Sequence, residues 1–127
     1  MNCDREDIMD KIVRIGTRSS RLAVIQAEEL AFYIRRQCPG IQPELVMIET
    51  TGDRRQDVML DKIGGKGLFV KEIDKALLSG GIDLAVHSLK DMPVEESYKI
   101  PIVSFSRRED ARDALILPEW RREWNGC

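Results

Sequence analysis

Short apolar runs alternate with segments of helical periodicity, and this alternation constrains the fold more than any other feature of the chain. The apolar runs predict strands at residues 11–17, 44–50 and 82–86, each of which stops at turn residues. The run at 44–50 is continuous, which is typical of a strand covered on both faces. A strand, helix, strand, helix, strand order predicts an α/β fold of βαβ units with a mainly parallel sheet.

Both helical segments have recognisable ends. Ser19 or Ser20 can cap the first, which ends before Pro39. The second occupies residues 68–79 and ends at Gly80, because glycine commonly terminates helices. Each segment carries one apolar face, as expected for helices packed against a sheet.

The remaining segments are less regular. Residues 54–67 are polar and glycine-rich and predict a long loop of the kind that can serve as a lid. This loop lacks the spacing of a nucleotide-binding P-loop, so a flexible turn is the simpler interpretation. Two further short strands are predicted at 100–105 and 114–117.

Composition excludes several classes of protein. The chain has 127 residues, 33% of them charged, and a net charge of −2, which argues against a general nucleic-acid binder. No apolar run approaches the roughly 18 residues needed to span a membrane, and we expect a soluble, cytoplasmic protein. The three cysteines, Cys3, Cys38 and Cys127, are far apart and form no CxxC pair, so neither a disulfide framework nor a metal site is predicted.

Polar side chains follow all three predicted strands of the sheet. They are Arg18, Ser20, Asp53, Ser88, Lys90 and Asp91, with Lys66 and Lys71 able to approach from the loop and the second helix. Because ligands of parallel sheets bind at the carboxyl ends of the strands, we expect these side chains to share one rim. Cationic groups beside hydroxyls suit a carboxylate or phosphate ligand; the alternative is a set of solvated charges and helix caps.

Asp91 is the sharpest candidate for chemistry. A carboxylate beside Lys90 can stabilise a developing cation or exchange a proton with a leaving amine. The alternative is a simple turn residue ahead of Pro93. His87 directly follows an apolar run, which favours a packed histidine over a catalytic one.

Five motifs, in order, resemble the N-terminal part of the hydroxymethylbilane synthase family, also called porphobilinogen deaminase. They are IGTRSSRLA with a following QA, TGD, GGKGLFVKE, DLAVHSLKDMP and REDARDA, and the resemblance covers residues 12 to about 117. It implies a transferase of porphyrin and heme biosynthesis that condenses four porphobilinogen units into hydroxymethylbilane and releases ammonia. It also implies a dipyrromethane cofactor held through a cysteine thioether, and a growing polypyrrole as the partner of the site.

The resemblance also assigns roles by motif position. Asp91 is expected to be the catalytic carboxylate, and Arg18, Ser20, Ser88 and Lys90 to hold the carboxylates of cofactor or substrate. A mobile active-site loop is expected to contain Lys66, Phe69 and Lys71. The fold it implies is one lobe resembling a type II periplasmic binding protein, incomplete because of truncation.

The family resemblance divides the chain into three parts. Residues 1–11 are expected to be a flexible extension, 12–117 a truncated first domain, and 118–127 a tail unlike the family. No cysteine matches the cofactor motif, so we expect the cofactor to be absent and the isolated chain to be inactive. The alternative is a stand-alone lobe that binds small carboxylates or pyrroles without catalysis. The family is monomeric, but an exposed sheet edge in this fragment can drive self-association.

Overall fold

The computed structural model describes residues 11–54, 69–93 and 99–112. These residues form three strands, β1 (Lys11–Arg18), β2 (Ile41–Ile48) and β3 (Leu84–Ala85). They also form three helices, α1 (Arg21–Gln37), α2 (Thr51–Arg54) and α3 (Lys71–Leu78), and a 3-10 helix (Leu89–Asp91). The predicted strand at 114–117, the tail at 118–127, most of the predicted loop and nearly all of the N-terminal extension lie outside the described residues.

All strand pairs in the described sheet are parallel, in the order β2-β1-β3. The register runs from Lys11 opposite Ile41 to Arg18 opposite Ile48, and Ile15 lies opposite Leu84. The predicted α/β fold with a parallel sheet is therefore confirmed. In the described part of the chain, no helix has the length and apolar character needed to cross a membrane.

The core lies around the middle of β1, the central strand. Ile15 is fully buried against Ala27 and Ala31 of α1. Side chains alternate across a strand, so Gly16 faces the other side of the sheet, where Ile82 fills the space that a Cβ would occupy. The strand is thus covered on both faces, which fixes the position of its last residue, Arg18.

The ends of α1 follow the sequence prediction. Ser20 is the N-cap, and its hydroxyl accepts a hydrogen bond from the backbone N–H of Ala23 at 3.4 Å. The helix ends at Gln37, before Pro39, as predicted. Helix α3 ends where Gly80 adopts a φ of +72°, a left-handed conformation that glycine tolerates best.

Two strand predictions were wrong. The run at 44–50 is not covered on both faces: β2 begins at Ile41, has only β1 beside it among the described strands, and leaves the Met47 side chain 65% exposed. Residues 100–105 form no strand beyond a single bridge at Ile100, and the side chains of Val103 and Phe105 project into solvent. In both places an apolar run indicated burial that Met47, Val103 and Phe105 do not have.

Candidate active site at the carboxyl edge of the sheet

Three charged residues meet where the parallel strands end. Arg18 is the last residue of β1, Asp53 lies in α2 just after β2, and Asp91 ends the 3-10 helix that follows β3. The structure thus places side chains from three distant segments at one rim, as the rule for parallel sheets predicts.

The Arg18 guanidinium lies between the two carboxylates. Its Nη2 donates to Asp53 Oδ1 at 2.6 Å, and its Nη1 donates to Asp91 Oδ2 at 3.1 Å. The three side chains are only 11–15% exposed, so water screens these pairs weakly. The arrangement is therefore a partly buried charge network rather than a set of solvated charges.

Asp53 is anchored to the backbone on its other side. Its Oδ2 accepts hydrogen bonds from the N–H and the hydroxyl of Thr50, and its own N–H donates to the Thr50 hydroxyl. This reciprocal pair is a capping box at the start of α2. Burial raises the pKa of Asp53, but hydrogen bonds from Arg18 and Thr50 outweigh it and leave that pKa below its ordinary value.

An aromatic ring covers one face of Arg18. The guanidinium carbon lies 3.9 Å from the centre of the Phe69 ring, a cation–π contact. The same ring lies against Gly52, where any side chain would collide with it. Phe69 and Arg18 therefore depend on a glycine at position 52.

A second polar contact joins α2 to α3. Glu72 Oε1 accepts hydrogen bonds from the N–H and the hydroxyl of Thr51. Its other oxygen is buried and has no hydrogen-bond partner among the described residues. Burial raises the pKa of Glu72, but the hydrogen bonds from Thr51 outweigh this effect and leave that pKa below its ordinary value.

Lys90 completes the polar environment of Asp91. Its Nζ donates to Asp91 Oδ1 at 3.1 Å, and the Lys90 side chain is 69% exposed. Asp91 thus accepts one cationic donor on each oxygen, and Lys90 can exchange this contact for a ligand at little cost because it is solvated.

A small open pocket of about 40 Å³ adjoins this network. It is lined by Arg18, Ser20, Leu22, Ala23, Val86, His87, Ser88, Lys90 and Asp91. The Ser88 hydroxyl donates to Gln26 Oε1 at 2.8 Å, and the Ser20 hydroxyl is engaged as the cap of α1. Both serines therefore border the pocket but already have protein partners.

His87 lies in the wall of the pocket and is half-buried. Burial lowers its pKa, although the charges of Asp74 and Asp91 oppose this effect. Burial also raises the pKa of Asp74. These shifts fit the packed histidine that the sequence favoured.

The predicted site residues thus separate into two groups. Arg18, Ser20, Ser88, Lys90 and Asp91 all line the pocket, and Phe69 covers Arg18. Lys71 begins α3 and is exposed, and Lys66 lies outside the described residues.

The residue-by-residue prediction gave no role to Thr50, Gly52, Gln26 or Glu72. The T-x-x-D spacing of Thr50 and Asp53 is a capping-box pattern, and this pattern could have revealed the role of Thr50. Among the described residues, no group of three or more His, Cys, Asp or Glu side chains is placed to hold a metal ion.

The site can stabilise a cation next to Asp91 and bind an anion at Lys90 and Arg18. Arg18 uses three of its five N–H groups on the two carboxylates, which leaves two for a ligand. The two cations and the two carboxylates, Asp53 and Asp91, cancel in formal charge. The described site is therefore polar but has no net positive charge.

The chain is similar in sequence to known proteins of one family. Residues 13–125 match the family model described as porphobilinogen deaminase, dipyromethane cofactor binding domain. The chain is 54% identical over 109 residues to a porphobilinogen deaminase of Ruminiclostridium cellulolyticum, an alignment covering 86% of this chain and 37% of the relative. It is 52% identical over 111 residues to one of Acetivibrio thermocellus, covering 87% and 38%.

The chain spans little more than a third of the length of these curated relatives. The matched range includes all the described residues from Val13 onward and extends into the stretch after 117. With most of its sequence matched by the family model and half of the aligned positions identical, the chain belongs to the porphobilinogen deaminase family.

Proposed function

We propose that this chain contributes the Asp91 side of a site that condenses four porphobilinogen units into hydroxymethylbilane with release of ammonia. The observation that carries the proposal is the Asp91 carboxylate, 13% exposed, held between Arg18 and Lys90 at the edge of a pocket. The family match supplies the identity of the substrate.

Asp91 is suited to a reaction that passes through a cation. In each condensation the carbon–nitrogen bond of the aminomethyl group breaks and ammonia leaves, so the remaining pyrrole becomes a cationic azafulvene. A new carbon–carbon bond then forms to a second pyrrole, which afterwards loses a proton. A preorganised carboxylate stabilises the cation and can exchange protons at the pyrrole nitrogens.

The pocket residues have separate roles in this proposal. Lys90 and the two remaining N–H groups of Arg18 bind the acetate and propionate carboxylates of the ligand. Ser88 and Ser20 contribute hydroxyls at the same wall, and Phe69 holds Arg18 in place. We propose that Lys66 and Lys71 act on the substrate as it enters the pocket.

The N–H donors of this site are of the chemical type that the dipyrromethane cofactor of the family requires. When bound, the cofactor supplies the pyrrole on which the chain is extended, and its carboxylates need N–H donors such as those of Arg18 and Lys90. Cys38 is distant from them, because it precedes β2 at the end of the sheet where Lys11 lies, and β1 extends about 23 Å from Lys11 to Arg18 by strand rise. Cys38 is therefore not suited to attach a cofactor in this pocket, and we propose that the isolated chain lacks it.

The formal neutrality of the described site favours a second candidate, a lobe that binds one pyrrole carboxylate without turnover. A polycarboxylate chain needs more cations than Arg18 and Lys90, which are already paired with Asp53 and Asp91. We therefore propose weak binding and negligible turnover by this chain alone.

Porphobilinogen titration and a single-turnover ammonia assay on the full chain test both candidates. We expect saturable binding that weakens in Lys90→Ala, with little ammonia released. Asp83→Ala is the matched control for Asp91→Ala, since Asp83 also pairs with an arginine but lies outside the pocket. Ammonia release that disappears in Asp91→Ala would show a complete site, whereas no binding by the unmodified chain would refute both candidates.

Several broader expectations remain proposals. The parallel sheet supports the lobe of a type II periplasmic-binding-protein-like fold. Among the described strands β2 is an edge strand, which supports self-association, and light scattering tests this: a strictly monomeric chain at high concentration contradicts it. A cytoplasmic location and the domain limits at 12 and 117 stay predictions.

A further inference from the structure

Both carboxylate oxygens of Asp53 are held by hydrogen bonds. Its Oδ2 is bonded to the N–H and hydroxyl of Thr50, and its Oδ1 accepts from Nε and Nη2 of Arg18. Thr50 is fully buried, so this anchor is set by the fold itself. Asp53 therefore connects a rigid piece of backbone to a side chain of the pocket.

These contacts leave Arg18 few alternatives. Asp53 holds one edge of the guanidinium, and Phe69 covers one face at 3.9 Å. The remaining Nη1 is then directed at Asp91 Oδ2, at 3.1 Å. Because Arg18 gives most of its bonds to Asp53, Asp91 receives a single N–H from it rather than a bidentate pair.

We propose that Asp53 is a positioning residue, which holds Arg18 so that the guanidinium meets Asp91 through one N–H and keeps two N–H groups for a ligand carboxylate. Without the Asp53 charge, the guanidinium is free to turn onto Asp91 as a bidentate pair, the geometry that arginine and carboxylate prefer. That rotation would use the N–H groups meant for the ligand. The inference rests on the proposed function only for the identity of that ligand.

Positioning and simple charge balance predict opposite effects of Asp53→Asn on binding. If Asp53 only neutralised Arg18, removing its negative charge would strengthen the binding of an anion. If Asp53 positions Arg18, the same variant weakens binding despite the added positive charge. We expect about 3- to 10-fold weaker porphobilinogen binding, the cost of ordering one long side chain.

The experiment combines this titration with nuclear magnetic resonance of the ¹⁵N-labelled chain without ligand. A guanidinium held at three sites gives a protected Nε–H signal for Arg18 and separate signals for its two terminal nitrogens. We expect these signals to shift or be lost in Asp53→Asn, as the guanidinium leaves its three partners or turns onto Asp91, and to be retained in Asp91→Asn, since Asp53 holds the larger share of the bonds. Asp83→Asn, which frees an exposed arginine, should change neither readout.

A second pair of variants separates positioning from unfolding. Thr50→Val removes the hydroxyl that anchors Asp53, and Thr50→Ser restores it. We expect the Arg18 signals to weaken in the first and to recover in the second.

Two results would overturn the inference: unchanged Arg18 signals in a folded Asp53→Asn chain, or tighter porphobilinogen binding by that variant. If the unmodified chain does not bind porphobilinogen, the proposed function fails. In that case the Arg18 signals alone test whether Asp53 positions Arg18.

Discussion

The ring of Phe69 lies so close to Gly52 that a Cβ at position 52 would stand 2.2 Å from the ring atom Cε1. Non-bonded carbon atoms prefer about 3.5–4 Å, so no side chain fits there while the ring keeps its place. The same ring stacks on Arg18. Gly52 is thus required for a close approach between two segments of the site.

The first prediction concerns this contact. Gly52→Ala should displace the Phe69 ring from Arg18 and lower the free energy of unfolding by about 1–3 kcal/mol, the usual cost of overpacking. Urea denaturation measures the stability, and the Arg18 Nε–H signal reports the loss of stacking. Gly81→Ala is the matched control, because a Cβ there meets its nearest neighbour at 3.4 Å. Equal effects of the two substitutions would contradict the steric argument.

The second prediction separates the structural role of Ser20 from its proposed role in binding. Ser20→Ala should destabilise the chain by about 1 kcal/mol through loss of the α1 cap. Ser20→Asp should restore stability, because aspartate caps helices well, but it should weaken porphobilinogen binding by placing a negative charge in the pocket.

Thermal unfolding and titration of both variants provide the readouts. Ser19→Ala is the control, since Ser19 is exposed and is not the N-cap. If Ser20→Asp binds porphobilinogen as well as the unmodified chain does, Ser20 has no part in the pocket's anion binding.

The third prediction compares the core with the edge of the sheet. Ile15→Ala removes a fully buried side chain from the contact between β1 and α1 and should cost about 2–5 kcal/mol. Met47→Ala, on the edge strand of the described sheet, should cost much less because the Met47 side chain is already mostly in water. Similar losses from both variants in urea denaturation would mean that β2 is covered in solution.

The fourth prediction concerns pH. Hydrogen bonds from the Arg14 side chain and backbone lower the pKa of Asp83 from 3.8 to about 2. The folded chain therefore holds the Asp83 proton less tightly than the unfolded chain. Stability from this pair is complete above pH 3.8 and is lost as the pH falls towards 2.

Asp83→Asn tests this dependence. Its stability deficit should be present at pH 5 and shrink between pH 3.8 and 2, as followed by urea denaturation. Glu49→Gln, which removes one partner of the more exposed Arg54 pair, is the control and should show a smaller deficit. A deficit that stays constant down to pH 2 would show that the pair does not titrate in this range.

Much of the fold was predictable because local patterns determine it. The serine cap and the proline limit of α1, the parallel order of the strands and the shared rim of Arg18 and Asp91 all follow from periodicity and strand-end rules. The exposure of Met47 could not be predicted, because the sequence of β2 does not show what packs on each face of the strand. The same reason explains the wrong prediction at 100–105.

The network around Arg18 was harder to predict than the rim itself. Sequence placed Asp53 and Asp91 near Arg18 but could not show that the guanidinium bonds to both. That outcome depends on distances set by three separate strand ends. The contact between Gly52 and Phe69 was likewise hidden, because the two residues are far apart in sequence and a glycine after Thr51 also suits an ordinary turn.

The order of the strands also sets the order in which the site can assemble during synthesis. Arg18 is separated by 35 residues from Asp53 but by 73 from Asp91. Contacts between near neighbours in the chain form faster than distant ones. A ribosome delivers Asp53 well before Asp91, so a nascent unit of β1, α1, β2 and α2 can already hold the Arg18 guanidinium against Asp53. Asp91 can then bond to an Arg18 side chain that Asp53 already holds.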